Sequence, residues 1–568
     1  FWLSFGPNDQ TGAVRAQYDE DFENLISWML YGLLDFEFIS EALLPELCPE
    51  AAFPLTVGEM QYRTVIVPDC RTIRNTTFLR LKKFREAGGR VIFMGGVPPY
   101  MDAVPSDEPA SLAKKCEAIP FRRISLLRAL DSERVLDVRF ANGRRSGNLI
   151  YQLREDGEGK WLFLCHVNRR RNRLDQPEKY AIGIKGKYDP ILYDTLTGEI
   201  HPCPAEIVNQ NTVIKRDMYA EDSLLLYLKK GVPSVAPGEA TSFSLQRIGK
   251  LQDPVSFTLS EPNVLLLDRA EYSFDQGRFH PAEEILRIDN QFRKALGYPS
   301  RMDHMMQPWA EMSPEPENHL LVLRYPILSN ERVPGVKLAM ERPEAATIRF
   351  NGKCVESAAD RFFTDKAIRT VPLPDLEKGE NELILKIPFG RRTNVEWCYL
   401  LGHFGVRVAG AHTRIEKAPE KLAFGDWVPQ GLPFYTGNVT YQCPIVVKRE
   451  IRDAVLEIPH FSAPVLVVYL DGIRKGVLAF APHRLRLGRL KAGRHRIDIT
   501  AYGNRFNAFG TLHNANDEYL WYGPDSYRTK GSQWTDSYLL HEMGIRSAPV
   551  LYERKKNLEN RADGFIAE

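Results

Sequence analysis

The chain has 568 residues, enough for roughly three to five domains of about 100–200 residues each. Hydrophobic residues make up 43% and charged residues 26%, a composition typical of globular proteins. The 75 basic residues nearly balance the 73 acidic ones, for a net charge of +2, which argues against nucleic acid as a partner. No apolar stretch approaches the ~18–20 residues of a membrane span, so no membrane partner is predicted.

The 8 cysteines stand singly, and none forms a Cys-x-x-Cys pair. A zinc ribbon is therefore not predicted, and we predict neither a metal nor a cofactor. Unpaired cysteines in apolar runs favour a reducing, cytoplasmic compartment. Because the chain starts inside an apolar run without Met, we expect a fragment with a truncated N-terminus, which leaves secretion open.

Residues 1–120 alternate helix and strand and predict an open α/β sheet that is flavodoxin-like in outline. Apolar strands are predicted at 63–67 and 90–95, with a helix between them, and a short strand at 36–39. Cys70 follows the first of these apolar strands, where ligands commonly bind in such folds. No histidine precedes His166 to act as its base, so we interpret Cys70 as structural.

Residues 121–248 contain short apolar strands separated by Gly, Asp and Asn turns, which predicts an antiparallel β-sandwich. Residues 249–319 combine a strand and a helix and are interpreted as a connector. Residues 320–412 and 413–555 are each predicted to form a β-sandwich of the galactose-binding jelly-roll type. The predicted fold class is therefore multidomain, α/β followed by all-β.

Two stretches of the chain share one pattern of strand, Asx-Gly turn, strand, Leu-x-x-Gly turn and strand. Their turns are Asn351-Gly352 and Asp471-Gly472, and both dipeptides favour the type I′ turn of a β-hairpin. A repeat as long as a domain indicates duplication rather than a solenoid. We predict that the two turns occupy the same hairpin of two duplicated sandwiches.

Candidate sugar-binding residues combine aromatic faces with fixed polar groups, because a pyranose has an apolar face and a rim of hydroxyls. Trp427, Tyr435 and Gln430 supply this mixture in one stretch, and Trp521 does so in a second. The alternative is that these aromatic rings fill a core or a domain interface.

A glycine-bracketed turn carries two adjacent aromatic rings, Phe434 and Tyr435, in the first of these stretches. Adjacent rings in such a turn suggest that one points in and one points out. We predict that Phe434 packs into the sandwich, while Tyr435 and Trp427 face a groove.

The order of several motifs resembles the C-terminal part of large bacterial glycoside hydrolases of the family 106 α-L-rhamnosidase type. In chain order the matching pieces are FGPND, DFEFISEALL, VGEMQYRTVIVPDC, GGRVIFMGG, EPNVLLLDRAEY, EEILRIDNQFR, LLGHFGV, GDWVPQGLPFYTGNVTY, NAFGTLHN and WTDSYLLHEMGI. The resemblance covers most of the chain. It implies an amidotransferase-like domain and sandwiches with a family 2-like sugar-binding fold, downstream of a catalytic (β/α)₈ barrel. A barrel needs about 250 residues of βα repeats, and this chain has no such run.

The resemblance implies an accessory, carbohydrate-binding region of a hydrolase that acts on plant or microbial glycans. Its implied partners are an oligosaccharide or glycoside substrate and the upstream catalytic barrel of the same polypeptide. The carboxylate pair that the family's chemistry requires cannot be placed on positions of this chain, so the catalytic residues are unknown. We therefore expect the chain alone not to cleave glycosides. A non-catalytic carbohydrate-binding or structural protein is the alternative.

Overall fold

The computed structural model of the chain describes residues 12–167, 176–237, 243–300, 316–515 and 531–556. The chain divides into two compact units, residues 1–241 and residues 242–568. Both consist mainly of antiparallel β-sheets. None of the helices in these ranges is long and apolar enough to cross a membrane. All 8 cysteines are free thiols.

The first unit begins with a small α/β layer. Its helices are α1 Gly12–Tyr31, α2 Leu44–Leu47, α3 Asn75–Glu86, α4 Glu108–Ala113 and α5 Arg123–Ala129. Its strands are β1 Leu55–Val57, β2 Met60–Tyr62, β3 Thr64–Pro68, β4 Thr72–Ile73, β5 Arg90–Met94, β6 Tyr100–Met101, β7 Val104–Pro105 and β8 Glu117–Ile119.

The two predicted apolar strands are the parallel neighbours β3 and β5, and β8 extends the same sheet in parallel. Helix α3 buries Phe78, Leu81 and Phe84 in the core that also contains Val91 and Phe93 of β5. Residues 36–39 form no strand, because no backbone partner pairs with them. A parallel sheet is therefore present, while its flavodoxin- or amidotransferase-like character stays a prediction.

A β-sandwich completes the first unit. Its strands are β9 Leu136–Phe140, β10 Leu149–Asp156, β11 Gly159–His166, β12 Glu178–Lys185, β13 Tyr188–Tyr193, β14 Ile200–Pro202, β15 Glu206–Val208, β16 Asn211–Met218 and β17 Ser223–Lys230. One sheet has the order β10-β11-β17-β13-β14 and the other the order β15-β16-β12-β9, with every pairing antiparallel. Alternate residues such as Leu162, Leu164, Leu226 and Ile182 fill the core between the sheets.

The described residues of the second unit contain the remaining strands together with two α-helices. The elements up to residue 416 are β18 Phe243–Lys250, β19 Ser256–Leu259, β20 Asn263–Leu267, β21 Arg269–Phe274, β22 His280–Glu284, α6 Ile285–Ala295, β23 His319–Ser329, β24 Lys337–Glu341, β25 Thr347–Phe350, β26 Lys353–Val355, β27 Arg361–Phe363, β28 Asp365–Pro372, β29 Gly379–Phe389, β30 Cys398–Gly402, β31 Gly405–Ala409 and β32 His412–Glu416. The later ones are β33 Val439–Val447, β34 Ile451–Glu457, β35 Phe461–Ser462, β36 Leu466–Leu470, β37 Ile473–Leu478, β38 Arg484–Leu490, β39 Gly493–Ala501, α7 Phe506–Phe509, β40 Gly544–Ile545 and β41 Val550–Lys556.

These strands form two sandwiches, one nested within the other. The middle sandwich has the sheets β20-β30-β24-β28-β27 and β22-β21-β23-β29-β25-β26. The outer sandwich has the sheets β18-β41-β34-β38 and β19-β33-β39-β36-β37. Because β18 and β19 precede the whole middle sandwich in sequence, the outer sandwich is closed by strands from both ends of the unit. Residues 249–319, expected as a connector, thus supply strands to both sandwiches.

The two sandwiches repeat one strand order. Strands β23, β29, β25 and β26 follow each other in one sheet as β33, β39, β36 and β37 do in the other. Both Asx residues have positive φ, 47° at Asn351 and 51° at Asp471, and each amide donates to the carbonyl of the adjacent strand at 2.9 Å. Each Asx side-chain oxygen also accepts a backbone N–H from that strand at 2.8 Å. The prediction that the two turns occupy the same hairpin is confirmed.

A buried polar cluster lies in the middle sandwich. Nε2 of His513 donates to Asp268 at 2.8 Å, its Nδ1 donates to the Thr535 carbonyl at 2.9 Å, and Tyr538 donates to Asp268 at 2.6 Å. A carboxylate and a carbonyl accept hydrogen bonds and do not donate them, so the two contacts favour the doubly protonated, charged form of His513. Burial alone would lower the pKa of His513, but the hydrogen bond and charge of Asp268 raise it overall. Glu284 caps α6, and burial raises its pKa to about 7.

We expect the second unit to lose stability as the pH rises from weakly acidic to weakly alkaline. The folded state holds a proton on Glu284 up to about pH 7, whereas the ordinary pKa is 4.5, so stability falls with rising pH between those values. The raised pKa of His513 acts in the same direction above its ordinary 6.5. Urea unfolding midpoints between about pH 5.5 and 8 should therefore decrease, and His513→Gln should flatten the slope. Midpoints that rise across this window would contradict the assignment.

Candidate functional site

The predicted site residues around 424–441 are structural in this fold. Trp427 and Tyr435 are both 0% exposed, and their rings meet edge to face at 6.3 Å in the core of the outer sandwich. The Tyr435 hydroxyl donates to the Asn438 carbonyl at 2.8 Å and accepts the Ser260 amide at 3.0 Å. The prediction that these two rings face a groove is therefore wrong. Both rings are buried in the core, and the Tyr435 hydroxyl makes its hydrogen bonds within the protein.

The side-chain amide of Gln430 makes its hydrogen bonds within the same loop. Its oxygen accepts the Ala423 amide at 2.8 Å, and its nitrogen donates to the carbonyls of Ala423 and Asp426 at 3.2 and 2.8 Å. Those bonds hold the loop closed. Trp521 lies outside the described residues.

Phe434 is buried as predicted, but in the other sandwich. It is 0% exposed within the core of the middle sandwich, where its ring meets Tyr538 edge to face at 5.1 Å. Adjacent residues of one turn thus fill two different cores. The segment 431–437 joins the two sandwiches through Phe434 on one side and Tyr435 on the other.

Cys70 has the environment of a structural thiol. Burial raises its pKa to about 11, and the carboxylates of Glu41 and Asp69 add to the rise. A thiol with this pKa stays protonated at neutral pH and is a poor nucleophile. Within the described ranges, no group of three or more His, Cys, Asp or Glu side chains is arranged to hold a metal ion.

A patch of aromatic and aliphatic residues that was not predicted from the sequence lies on the outward face of one sheet of the first unit's sandwich, half-buried except for Phe163. Side chains alternate along strand β11. Leu162 and Leu164 are buried, whereas Trp161 and Phe163 point outward, and Phe163 is 38% exposed. Trp161 pairs with Tyr227 across the sheet, and Phe163 pairs with Leu225, which in turn pairs with Tyr193. We call this patch the aromatic face, and it comprises Trp161, Phe163, Tyr193, Leu225 and Tyr227.

The rings of the aromatic face form a shallow cradle rather than a flat stack. Trp161 lies 4.9 Å from both Tyr193 and Tyr227, at interplanar angles of 64° and 52°. Asp156 ties two of the rings together, because it accepts Trp161 Nε1 at 2.9 Å and the Tyr227 hydroxyl at 3.3 Å. Exposed Arg154 pairs with Trp161 across the strands and places a donor beside the indole.

The aromatic face has the features that sugar binding requires. Fixed rings offer an apolar surface to the C–H face of a pyranose, while a carboxylate and a guanidinium at the rim can bind its hydroxyls. The face is therefore the best candidate site on the first unit's sandwich.

No protein-family model matches the chain, and no curated protein matches it. Among solved structures, a rhamnosidase from Novosphingobium sp. PP1Y aligns with a TM-score of 0.45 and 12% identity, over 92% of this chain and 36% of that one. An exo-carrageenase GH42 from Bacteroides ovatus aligns with a TM-score of 0.26 and 11% identity, over 38% of this chain and 27% of that one. A GH2 β-galacturonidase from Eisenbergiella tayi, bound to galacturonate, aligns with a TM-score of 0.15 and 11% identity, over 44% and 38%.

The chain thus spans about a third of the length of that rhamnosidase. The three structures are glycoside hydrolases to which this chain is similar at low sequence identity. The finer assignment to family 106, and the interpretation as a fragment, stay predictions.

Proposed function

We propose that this chain is the accessory, carbohydrate-binding region of an α-L-rhamnosidase-like glycoside hydrolase that acts on plant or microbial glycans. The ordered motifs of the sequence support the family. The aromatic face carries the binding role, since its rings and rim groups suit a sugar. In this proposal the catalytic carboxylates belong to an upstream barrel of the same polypeptide, and this chain holds the glycan near it.

The cradle of three rings favours an oligosaccharide over a single sugar. One pyranose covers one indole, so Tyr193 and Tyr227 flank the positions of neighbouring sugar units. Asp156 fixes Trp161 and Tyr227 before the ligand arrives, and little rotamer freedom is then lost on binding. Preorganised rings of this kind are expected to raise the affinity for a glycan long enough to contact all three of them.

Trp161→Ala should weaken oligosaccharide binding by about tenfold or more, equivalent to about 1.4 kcal/mol. The reason is the loss of the central ring between two tyrosines. A glycan array identifies a binding oligosaccharide, and calorimetric titration then measures the affinity of the wild-type chain and the variant. Phe362→Ala, which removes an exposed ring (54% exposed) of the second unit, is the matched control and should bind like wild type. Unchanged affinity in Trp161→Ala would reject the aromatic face as the site.

A non-catalytic structural protein is the second candidate, and the burial of Trp427 and Tyr435 favours it. Residues that sequence reasoning assigned to sugar contact instead hold the sandwiches together. The nucleotide sequence upstream of the codon for Phe1 distinguishes the two candidate functions. Regular βα repeats there would support the hydrolase, whereas an intact start codon just before Phe1 would support the second candidate.

A further inference from the structure

A cleft of about 1090 Å³ lies in the α/β layer of the first unit. Every residue of β3 lines this cleft, and so does every residue from 35 to 41. Apolar side chains of α1, such as Leu25 and Met29, form part of its wall. Two continuous lengths of backbone therefore border the cleft, which distinguishes it from a pocket between side chains alone.

Both lengths of backbone have hydrogen-bonding groups that are not paired. The parallel sheet has the order β3-β5-β8, which leaves β3 at its edge, paired with β5 alone. Within the described ranges, residues 35–39 make no hydrogen bond from backbone to backbone. Strand edges with unpaired N–H and C=O groups are normally covered or paired in native proteins. A strand placed in the cleft would pair with β3 on one side and with residues 35–39 on the other.

Residues 35–41 run in the same direction as β3. The Tyr62 hydroxyl, just before β3 begins, donates to the Glu37 carboxylate. The Arg74 amide, after β3 has ended, donates to Glu41 at 3.0 Å. The segment thus passes from the level at which β3 starts to the level at which it ends. Two parallel lengths of backbone with a gap between them match a parallel sheet that lacks one strand.

Helices already cover both faces of the gap. One core contains Leu25 of α1 and Leu126 of α5, and Ile66 of β3 packs against it. The other core contains Phe78 of α3 and Val67 of β3. Parallel sheets are covered by helices on both faces, and their inner strands are almost continuously apolar. The occupant of the gap is therefore expected to be an extended segment that is apolar on both faces.

The chain contains such a segment directly before the loop that leads into α1. Residues 1–6 read FWLSFG and lie outside the described residues. Four of the first five residues are large and apolar. With a rise of about 3.3 Å per residue, a strand spacing of about 4.8 Å and a layer thickness of about 10 Å, a strand of five residues fills roughly 800 Å³. The cleft has room for a strand of this length.

From these observations we propose that residues 1–6 occupy the cleft as an extended strand, parallel to β3 and to residues 35–41. The chain then passes from this strand through α1 to residues 35–41, which makes a βαβ unit. In the flavodoxin-like order 2-1-3-4-5, residues 1–6 are strand 1, and residues 35–41, β3, β5 and β8 are strands 2, 3, 4 and 5. Sugar binding by the aromatic face does not depend on this strand.

Hydrogen exchange of the full chain, measured by mass spectrometry, tests the proposal. We expect the amides of residues 3–6 to exchange at least about a hundredfold more slowly than in a synthetic peptide of residues 1–12. Leu3→Asp places a charge between two apolar cores, so it should expel the segment and speed exchange at residues 3–6, 36–39 and 64–68. Val14→Asp makes a similar change at a side chain of α1 that is 47% exposed, and this control should exchange like wild type.

The measurement on the wild-type chain is decisive by itself if Leu3→Asp fails to fold. Exchange of residues 3–6 at the rate of the peptide would overturn the proposal. Protection of these residues that is lost when the protein is diluted to a monomer would also overturn it, because a second copy would then supply the strand. A folded Leu3→Asp variant with unchanged exchange at residues 36–39 and 64–68 would place the segment outside the cleft.

Discussion

Phe434→Ala and Tyr435→Ala should each destabilise the second unit by about 3–5 kcal/mol, the range for emptying a buried aromatic site. Similar losses of stability in the two variants would show that both rings are buried. Phe434 fills the core of the middle sandwich and Tyr435 that of the outer one, and each is 0% exposed. Denaturant unfolding of the full chain, followed by circular dichroism, measures both losses.

Two further variants make this result specific. Tyr435→Phe keeps the ring and removes its hydrogen bonds to the Ser260 amide and the Asn438 carbonyl. Because these two groups also bond to each other at 3.0 Å, the cost should be only about 0.5–1.5 kcal/mol. Phe362→Ala removes a ring that is 54% exposed and should stay within about 0.5 kcal/mol of wild type. A loss below about 1 kcal/mol for Tyr435→Ala would mean that its ring is not part of a core.

Asp268→Ala should cost about 3–5 kcal/mol, because removing one partner of a buried ion pair leaves the other charge uncompensated. Asp268 and the His513 side chain are 0% and 3% exposed, and Tyr538 donates to the same carboxylate. Without Asp268, His513 loses its counter-charge and Tyr538 its acceptor. Chemical denaturation near pH 6, where His513 is charged, gives the largest effect.

The control for this variant is an ion pair in solvent. Lys417 and Glu420 are 73% and 77% exposed at their side chains, so Glu420→Ala should leave the free energy of unfolding close to that of wild type. Similar losses for Asp268→Ala and Glu420→Ala would contradict the buried-cluster interpretation.

The sequence predicted those parts of the fold that depend on local chemistry. Asn351-Gly352 and Asp471-Gly472 identify their hairpins because positive φ at both turn positions restricts the residue types. The parallel neighbours β3 and β5 followed from apolar runs separated by an amphipathic helix. The nesting of the sandwiches could not be predicted in this way. The partner of β18 is β41, hundreds of residues later, and no local pattern marks that pairing.

The candidate site was missed for a related reason. In the stretch WLFLCH both strand faces are apolar, so alternation does not reveal which of Trp161 and Leu162 points outward. Around Trp427 and Tyr435, aromatic residues beside glycine and proline suit a binding loop and a packed turn equally well. Only the tertiary structure decides: Trp161 lies on the outward face of β11, and Tyr435 lies in a core.

The proposed binding of carbohydrate to the aromatic face is tested most directly by saturation-transfer NMR on the full chain. Aromatic ring protons are irradiated in the presence of the oligosaccharide selected by the glycan array. We expect transfer to the C–H protons of one sugar face, and we expect this transfer to be lost in Trp161→Ala and retained in Phe362→Ala. Equal transfer in wild type and Trp161→Ala, or none in either, would contradict it.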